Sequence, residues 1–247
     1  MRFEKREHVK EWQLDLFETL GKNTAYPTNT VEKSLCALCT PRCGSTMFCE
    51  GLYNTGQIGI MEEWFNYEYF YAWQQVTDLD FTLKEYLTWV IERSTQGTGV
   101  FAVKWMIAQV YSMQRDFSFD LNNFHFDRII YIERLDKIAQ AVSMAKANKR
   151  NCFRSYETPE RTDISLFDIA RSLAVITEHI EALDGLGAHI DATLYYEHFQ
   201  FGHSGEWDKV MELMGVPKQN AYIPTVKKQR DRENAQLRSK FRDFIGA

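Results

Sequence analysis

The chain has 247 residues, with 29 Lys and Arg against 34 Asp and Glu, for a formal charge of −5. Hydrophobic residues make up 45% and charged residues 26%, the balance of a globular chain that can bury a sizeable core. A mildly acidic chain does not suit the coating of nucleic acid or of an anionic membrane, and no apolar run approaches the roughly 18 to 20 residues of a membrane span.

The opening MRFEKREHVKEWQLDLFETL is charged and lacks the apolar centre of a secretory signal. With five Cys and no such signal, reduced thiols and a cytoplasmic setting are expected. Residues 8–20 place Val9, Trp12, Leu16, Phe17 and Leu20 at helical spacing, which predicts an amphipathic helix in front of the core. The expected division is an N-terminal helical extension over 1–33 and a main domain over 34–247. A polar connector around Asn23–Thr30 leads to Ser34–Thr40, SLCALCT, a short apolar run suited to a buried parallel strand. A tight loop, PRCGST, and a helix follow. Residues 62–76 are dense in aromatics, and residues 82–93 carry an apolar helical face.

Gly99–Trp105 predicts a second strand with a helix after it. Phe126–Glu133 predicts a third, with a helix from Asp136 to Lys149. A long helix is expected over 163–184, a fourth strand over His189–Tyr195, and a helix over Glu206–Met214 that ends at Gly215 and Pro217. The tail from Lys227 to Phe244 is basic and helical in pattern. Strands alternate with helices, which predicts an α/β domain: a central parallel sheet flanked by helices in three layers.

The informative segment is Leu38–Leu52, LCTPRCGSTMFCEGL. A strand end, a turn through Pro41, Arg42, Cys43 and Gly44, and a helix opening at Ser45 and Thr46 aim backbone N–H groups at one spot. That geometry suits an anion. Capping by Ser or Thr alone would give the same local pattern. The nucleotide-triphosphatase version needs G-x-x-x-x-G-K-[ST]; the first Gly and the Lys are absent, so a magnesium-dependent kinase is disfavoured. Arg134 leaves the end of the third strand, and Ser143 lies nine residues on, within a helix. Both can reach a second phosphate near the carboxyl edge of the sheet. Cys36, Cys39, Cys43 and Cys49 form a spaced cluster, but Cys36 and Cys39 fall on opposite faces of a strand. No metal site is expected.

Together, TPRCGST and RLDKIAQAVS resemble the two nucleotide motifs of PAPS-dependent sulfotransferases, in wording closest to the bacterial branch typified by trehalose 2-sulfotransferase. TGQIGIMEEWF (Thr55–Phe65), GVFAVKWM (Gly99–Met106) and YYEHF (Tyr195–Phe199) fall in the family order, so the resemblance covers about residues 34 to 244. It implies a P-loop-like fold and a sulfuryl transfer from PAPS, leaving PAP, to a hydroxyl of a small acceptor, a carbohydrate being one class. By resemblance, Arg42, Cys43, Gly44, Ser45 and Thr46 cradle the phosphosulfate, Arg134 and Ser143 hold the 3′-phosphate, and Tyr196 contacts adenine. The family acid that serves as base aligns with Glu63; the Pro that precedes it in the family is Met61 here, and Glu62 is the alternative. Lys104 is a candidate for the bridging oxygen or the acceptor. Arg230, in the basic tail, is a weaker candidate for the 3′-phosphate. Glu50 reads as loop-supporting. Dimers occur in the family, so a homodimer is allowed. The competing readings are a non-catalytic PAP-binding protein and an atypical P-loop nucleotide kinase.

Overall fold

The structure is a computed structural model and describes residues 9–22, 31–153, 162–226 and 232–246. The first apolar run forms strand β1, Lys33–Cys39. The second forms β2, Val100–Met106, the third β3, Arg128–Glu133, and the fourth β4, Ala192–Tyr195. They make a parallel sheet in the order β2-β1-β3-β4. β1 has Leu38 opposite Trp105 on one side and Tyr131 on the other.

Two strands begin later than their apolar pattern predicts, and side chains explain both. Asp127 accepts the Ser34 N–H at 2.7 Å and the Ser34 hydroxyl at 2.8 Å, so a carboxylate occupies the place of a ladder bond before β3. Asp191 accepts the Ile129 N–H at 2.8 Å, so β4 starts at Ala192 rather than His189.

The helices are α1, Glu11–Lys22; α2, Ser45–Tyr53; α3, Tyr67–Thr77; α4, Leu83–Ser94; α5, Ile107–Phe117; and the short α6, Leu121–Phe124. They continue as α7, Lys137–Arg150; α8, Leu166–Asp184; the short α9, Tyr196–Phe199; α10, Gly205–Met214; and α11, Arg232–Ile245. α8 starts at a capping box in which Ser165 and Asp168 exchange hydrogen bonds of 3.0 and 3.1 Å, which fixes its boundary three residues inside the predicted one. α10 ends where Gly215 turns left-handed, at φ 63°.

Side chains of the strands alternate between two apolar layers. Cys36, Leu38, Phe101, Val103, Trp105 and Tyr131 face the layer shared with α1, α3, α4 and α5. Leu35, Ala37, Cys39, Ala102, Ile130 and Ile132 face the layer shared with α2, α9 and α10. This alternation places Lys104 on the α2 side of the sheet. A third cluster joins α7, α8 and Phe241 of α11.

α1 is built into the first layer. Phe17 and Leu20 are fully buried there, and Phe17 packs edge-on against Trp64 and Tyr69. Burying such a ring contributes about 1.5–3 kcal/mol. Among the described residues, no helix is long and apolar enough to cross a membrane.

Candidate functional site

In the order β2-β1-β3 the strands that follow β1 are added first on one side of it and then on the other, so the topological switch point lies at β1. The crevice beyond its carboxyl end is where open α/β sheets bind ligands. Thr40 to Gly44 occupy that place. Gln140, buried on α7, donates to Thr40 Oγ1 at 2.8 Å and to the Pro41 carbonyl at 2.7 Å. The turn is thus pinned from behind.

Arg42 and Gly44 both hold positive φ, at 63° and 93°. For Arg42 this conformation is costly and must be held by its surroundings. Its Nε donates to Ser143 Oγ at 3.1 Å, and its guanidinium donates to the Phe153 carbonyl. Gly44 is required twice over. Its φ favours glycine, and a Cβ there would lie 2.3 Å from Tyr196 Cδ2. Gly44, the N-cap of α2, makes no side-chain cap. Its first turn lines a cavity through Gly44, Ser45, Thr46 and Met47, so the positive end of the helix is open to an anion.

Arg134 is 7% exposed. It donates to the Arg42 carbonyl at 3.3 Å, and its guanidinium lies 4.8 Å from the Tyr196 ring centre, a cation–π arrangement. Arg42, Gly44, Ser45, Thr46, Arg134, Ser143 and Tyr196 therefore share one end of the cavity. Cys43 does not line it: its side chain is buried and turned toward Cys39. Burial pushes the Cys43 thiol up, but hydrogen bonds from Cys39 and Ser45 and the charge of Lys104 together bring it below its ordinary value. Arg230 lies outside the described residues.

Lys104 stands beside this end. It is 2% exposed, and its Nζ lies 3.2 Å from Thr46 Oγ1 and 3.2 Å from Glu63 Oε1. One ammonium thus joins the first turn of α2 to a carboxylate. Gln109 and Asn66 donate to the other oxygen, Glu63 Oε2, at 2.8 and 3.2 Å. Gln109 is itself fixed, because its Oε1 accepts the Met106 N–H at 3.3 Å at the start of α5.

Lys104 lies nearer to Glu63 than to Glu62, whose Oε2 is 3.9 Å from its Nζ, and the two neighbouring acids face different surroundings. Glu63 lines the cavity. Glu62 accepts the Tyr69 hydroxyl at 2.8 Å, and its backbone pairs beside β2. Glu50 accepts the Thr225 and Val226 N–H groups at 3.0 and 2.9 Å, and so anchors the chain after α10.

The cavity has a volume of about 1200 Å³, above the roughly 300–1,000 Å³ usual for one small ligand. Two elements close its ends. The start of α1 brings Trp12 and, just before it, Lys10, and α11 brings Arg238 and Arg242. Arg238 and Arg242 lie 2.9 and 3.8 Å from Asp136, the N-cap of α7. Sequence reasoning missed Gln109, Asn66, Gln140 and the two α11 arginines as parts of this site. Gln109 had a local signal, since it sits three residues after the last residue of β2, where capping residues fall.

A model of the Stf0 sulphotransferase family matches residues 34–185. The chain belongs to the Stf0 sulphotransferase family. Within it, the resemblance is to the trehalose 2-sulfotransferase branch, and the family's activity is sulfuryl transfer. No curated protein matches the chain. The matched segment holds Arg42 to Thr46, Glu63, Lys104, Arg134 and Ser143, whereas Tyr196, α1 and α11 lie outside it. Among the described residues, no group of three His, Cys, Asp or Glu could hold a metal ion. Cys36 and Cys39 face different layers of the sheet.

Proposed function

We propose that this Stf0 sulfotransferase takes its sulfuryl group from PAPS and passes it directly to a hydroxyl of a small acceptor, with Glu63 as general base. The observation that carries this reading is the position of Lys104. Its ammonium touches both Thr46, at the uncapped start of α2, and Glu63. An anion cradle and a proton acceptor therefore meet at one buried cation.

At the donor end, the α2 N-terminus and Arg42 carry the phosphosulfate, and Arg134 with Ser143 carries the 3′-phosphate. The residues suit that load: an uncapped helix start, two guanidinium groups and a hydroxyl face one cavity wall. Arg134 stacks on Tyr196, which gives a flat face for a purine.

Sulfuryl transfer is taken to resemble phosphoryl transfer, with a loose, in-line transition state. The acceptor oxygen forms a bond to sulfur as the bond from sulfur to the donor's phosphate oxygen breaks. The hydroxyl proton passes to Glu63. The leaving phosphate gains charge, which Lys104 and the first N–H groups of α2 stabilise in place, without reorganisation. Gln109 and Asn66 fix the carboxylate so that one oxygen stays beside Lys104.

The test is transfer from radiolabelled PAPS to a panel of sugars, lipids and phenols, with Glu63→Gln in parallel. Labelled product with the native chain, and its loss in Glu63→Gln with PAP affinity unchanged, is the expected result. An unchanged rate in Glu63→Gln moves the base elsewhere. Normal PAP binding with no product from any acceptor supports a non-catalytic PAP-binding protein instead.

A further inference from the structure

We propose that the start of α1 and the start of α3 together form the acceptor-reading wall of the cavity, where Glu68 of α3 and Lys10, just before α1, hydrogen-bond the hydroxyls of a polyhydroxylated acceptor and Gln13 of α1 holds Glu68 in position. This rests on the reading of Glu63 as the base.

The argument follows a continuous chain of contacts from Glu63. Asn66 Nδ2 donates to Glu63 Oε2 at 3.2 Å, and Asn66 Oδ1 accepts the Glu68 N–H at 3.0 Å, as the N-cap of α3. Gln13 Nε2 then donates to Glu68 Oε2 at 3.3 Å, while Gln13 Oε1 accepts the Lys10 N–H at 2.9 Å. Gln13 is 1% exposed. It is therefore a positioning residue that ties the start of α1 to the start of α3. Glu68 is exposed and lines the cavity, as does Lys10. Lys10 Nζ lies 3.4 Å from the Asn151 carbonyl at the end of α7. Gln13 and Lys10 thus carry the start of α1 from the α3 side of the cavity to the α7 side.

An acceptor whose reacting hydroxyl lies at Glu63 has the rest of its body directed along this chain. The groups there are a carboxylate that accepts, an ammonium that donates, and the ring of Trp12, which packs edge to face at 5.9 Å on the buried Tyr69. A paired donor and acceptor beside an aromatic ring suit a molecule with many hydroxyls and an apolar ring face. The cavity volume leaves room for such a molecule beside the donor. The family match begins at residue 34, so Lys10, Trp12 and Gln13 lie outside the matched segment, whereas Glu68 lies within it.

The experiment uses the full chain loaded with PAP. Calorimetry measures PAP affinity, and saturation-transfer NMR reads the binding of trehalose, maltose and glucose. The variants are Lys10→Met, at a half-buried site, Glu68→Gln, at an exposed one, and Gln13→Leu. The expected result is unchanged PAP affinity in all three, with sugar binding at least tenfold weaker. With a sugar that is turned over, KM rises while kcat holds. Equal sugar binding in native and variant chains overturns the proposal, as does the absence of sugar binding by the PAP-loaded native chain. Both of those outcomes leave the donor reading intact. Failure of PAP itself to bind overturns the donor reading, and the α1 proposal with it.

Discussion

Gly44 and the ring of Tyr196 are so close that the two residues exclude any side chain between them: a Cβ on Gly44 would meet Tyr196 Cδ2 at 2.3 Å. The contact joins the anion loop after β1 to the helical turn after β4. Arg134, above the same ring, joins both to the end of β3. The donor end is therefore one packed unit drawn from three strand ends.

Gly44→Ala breaks that unit in two ways, by the φ of 93° and by the clash with Tyr196. Forcing an L side chain into such a conformation costs on the order of 1–3 kcal/mol. PAP affinity measured by calorimetry should fall at least tenfold, with a lower thermal midpoint. An unchanged affinity would show that the loop adopts another shape.

Lys104→Met removes the cation between Thr46 and Glu63. Electrostatic groups aimed at developing charge are worth about 10²–10³ in kcat. A loss of that size is expected in the rate of single-turnover transfer from PAPS, with a smaller change in PAP affinity. Methionine keeps the bulk, so folding should hold. A rate near that of the native chain would remove Lys104 from the mechanism.

Glu62→Gln separates the two acids. Glu62 is bonded to Tyr69, lies farther from Lys104 than Glu63 does, at 3.9 against 3.2 Å, and does not line the cavity, so its amide variant should retain most of the transfer rate, whereas Glu63→Gln should not. The reverse order of rates would assign the base to Glu62.

The sequence made the architecture legible because buried parallel strands write themselves as short apolar runs, and all four runs formed strands. Its limits lay where side chains replace backbone. Asp127 and Asp191 take ladder bonds at the starts of β3 and β4, and no apolar pattern records that. Lys104 was legible as an anomaly, a lysine in an apolar run, and period-two alternation explains why it meets α2. Gln140 and the α11 arginines were not legible, since their roles depend on how helices distant in sequence pack. The opening charge of −5 likewise says nothing of a cavity in which Arg42, Lys104, Arg134, Arg238 and Arg242 gather.

That gathering has a measurable consequence. Arg134 and Lys104 are buried, unlike the more exposed Arg238 and Arg242, and a polyanion held by buried, short-range contacts is screened little by salt. PAP affinity should therefore change only modestly between low and physiological ionic strength. A steep loss would point to long-range attraction in place of the local contacts.

Acid should release α11. A hydrogen bond from Arg150 is the main reason that Glu233 titrates at about 2 rather than its ordinary 4.5; partial burial opposes the shift and Lys146 adds to it. The folded value lies below the unfolded one, so this contribution is fully present above about 4.5 and is lost as pH falls toward about 2. Hydrogen exchange should show protection of residues 232–245 falling through that window ahead of β1. Glu233→Gln should lower that protection at neutral pH. Equal protection in both chains would mean that Phe241 and the Arg238–Asp136 pair hold the helix without Glu233.

The central claim is that the loop after β1 and Arg134 bind the phosphates of PAP. The most direct measurement is a calorimetric titration of the native chain with PAP and, separately, with Mg-ATP. Saturable one-to-one binding of PAP, at least tenfold tighter than Mg-ATP and weakened at least tenfold by Arg134→Ala, is the predicted result. Tighter binding of Mg-ATP, or no binding of PAP, would contradict it.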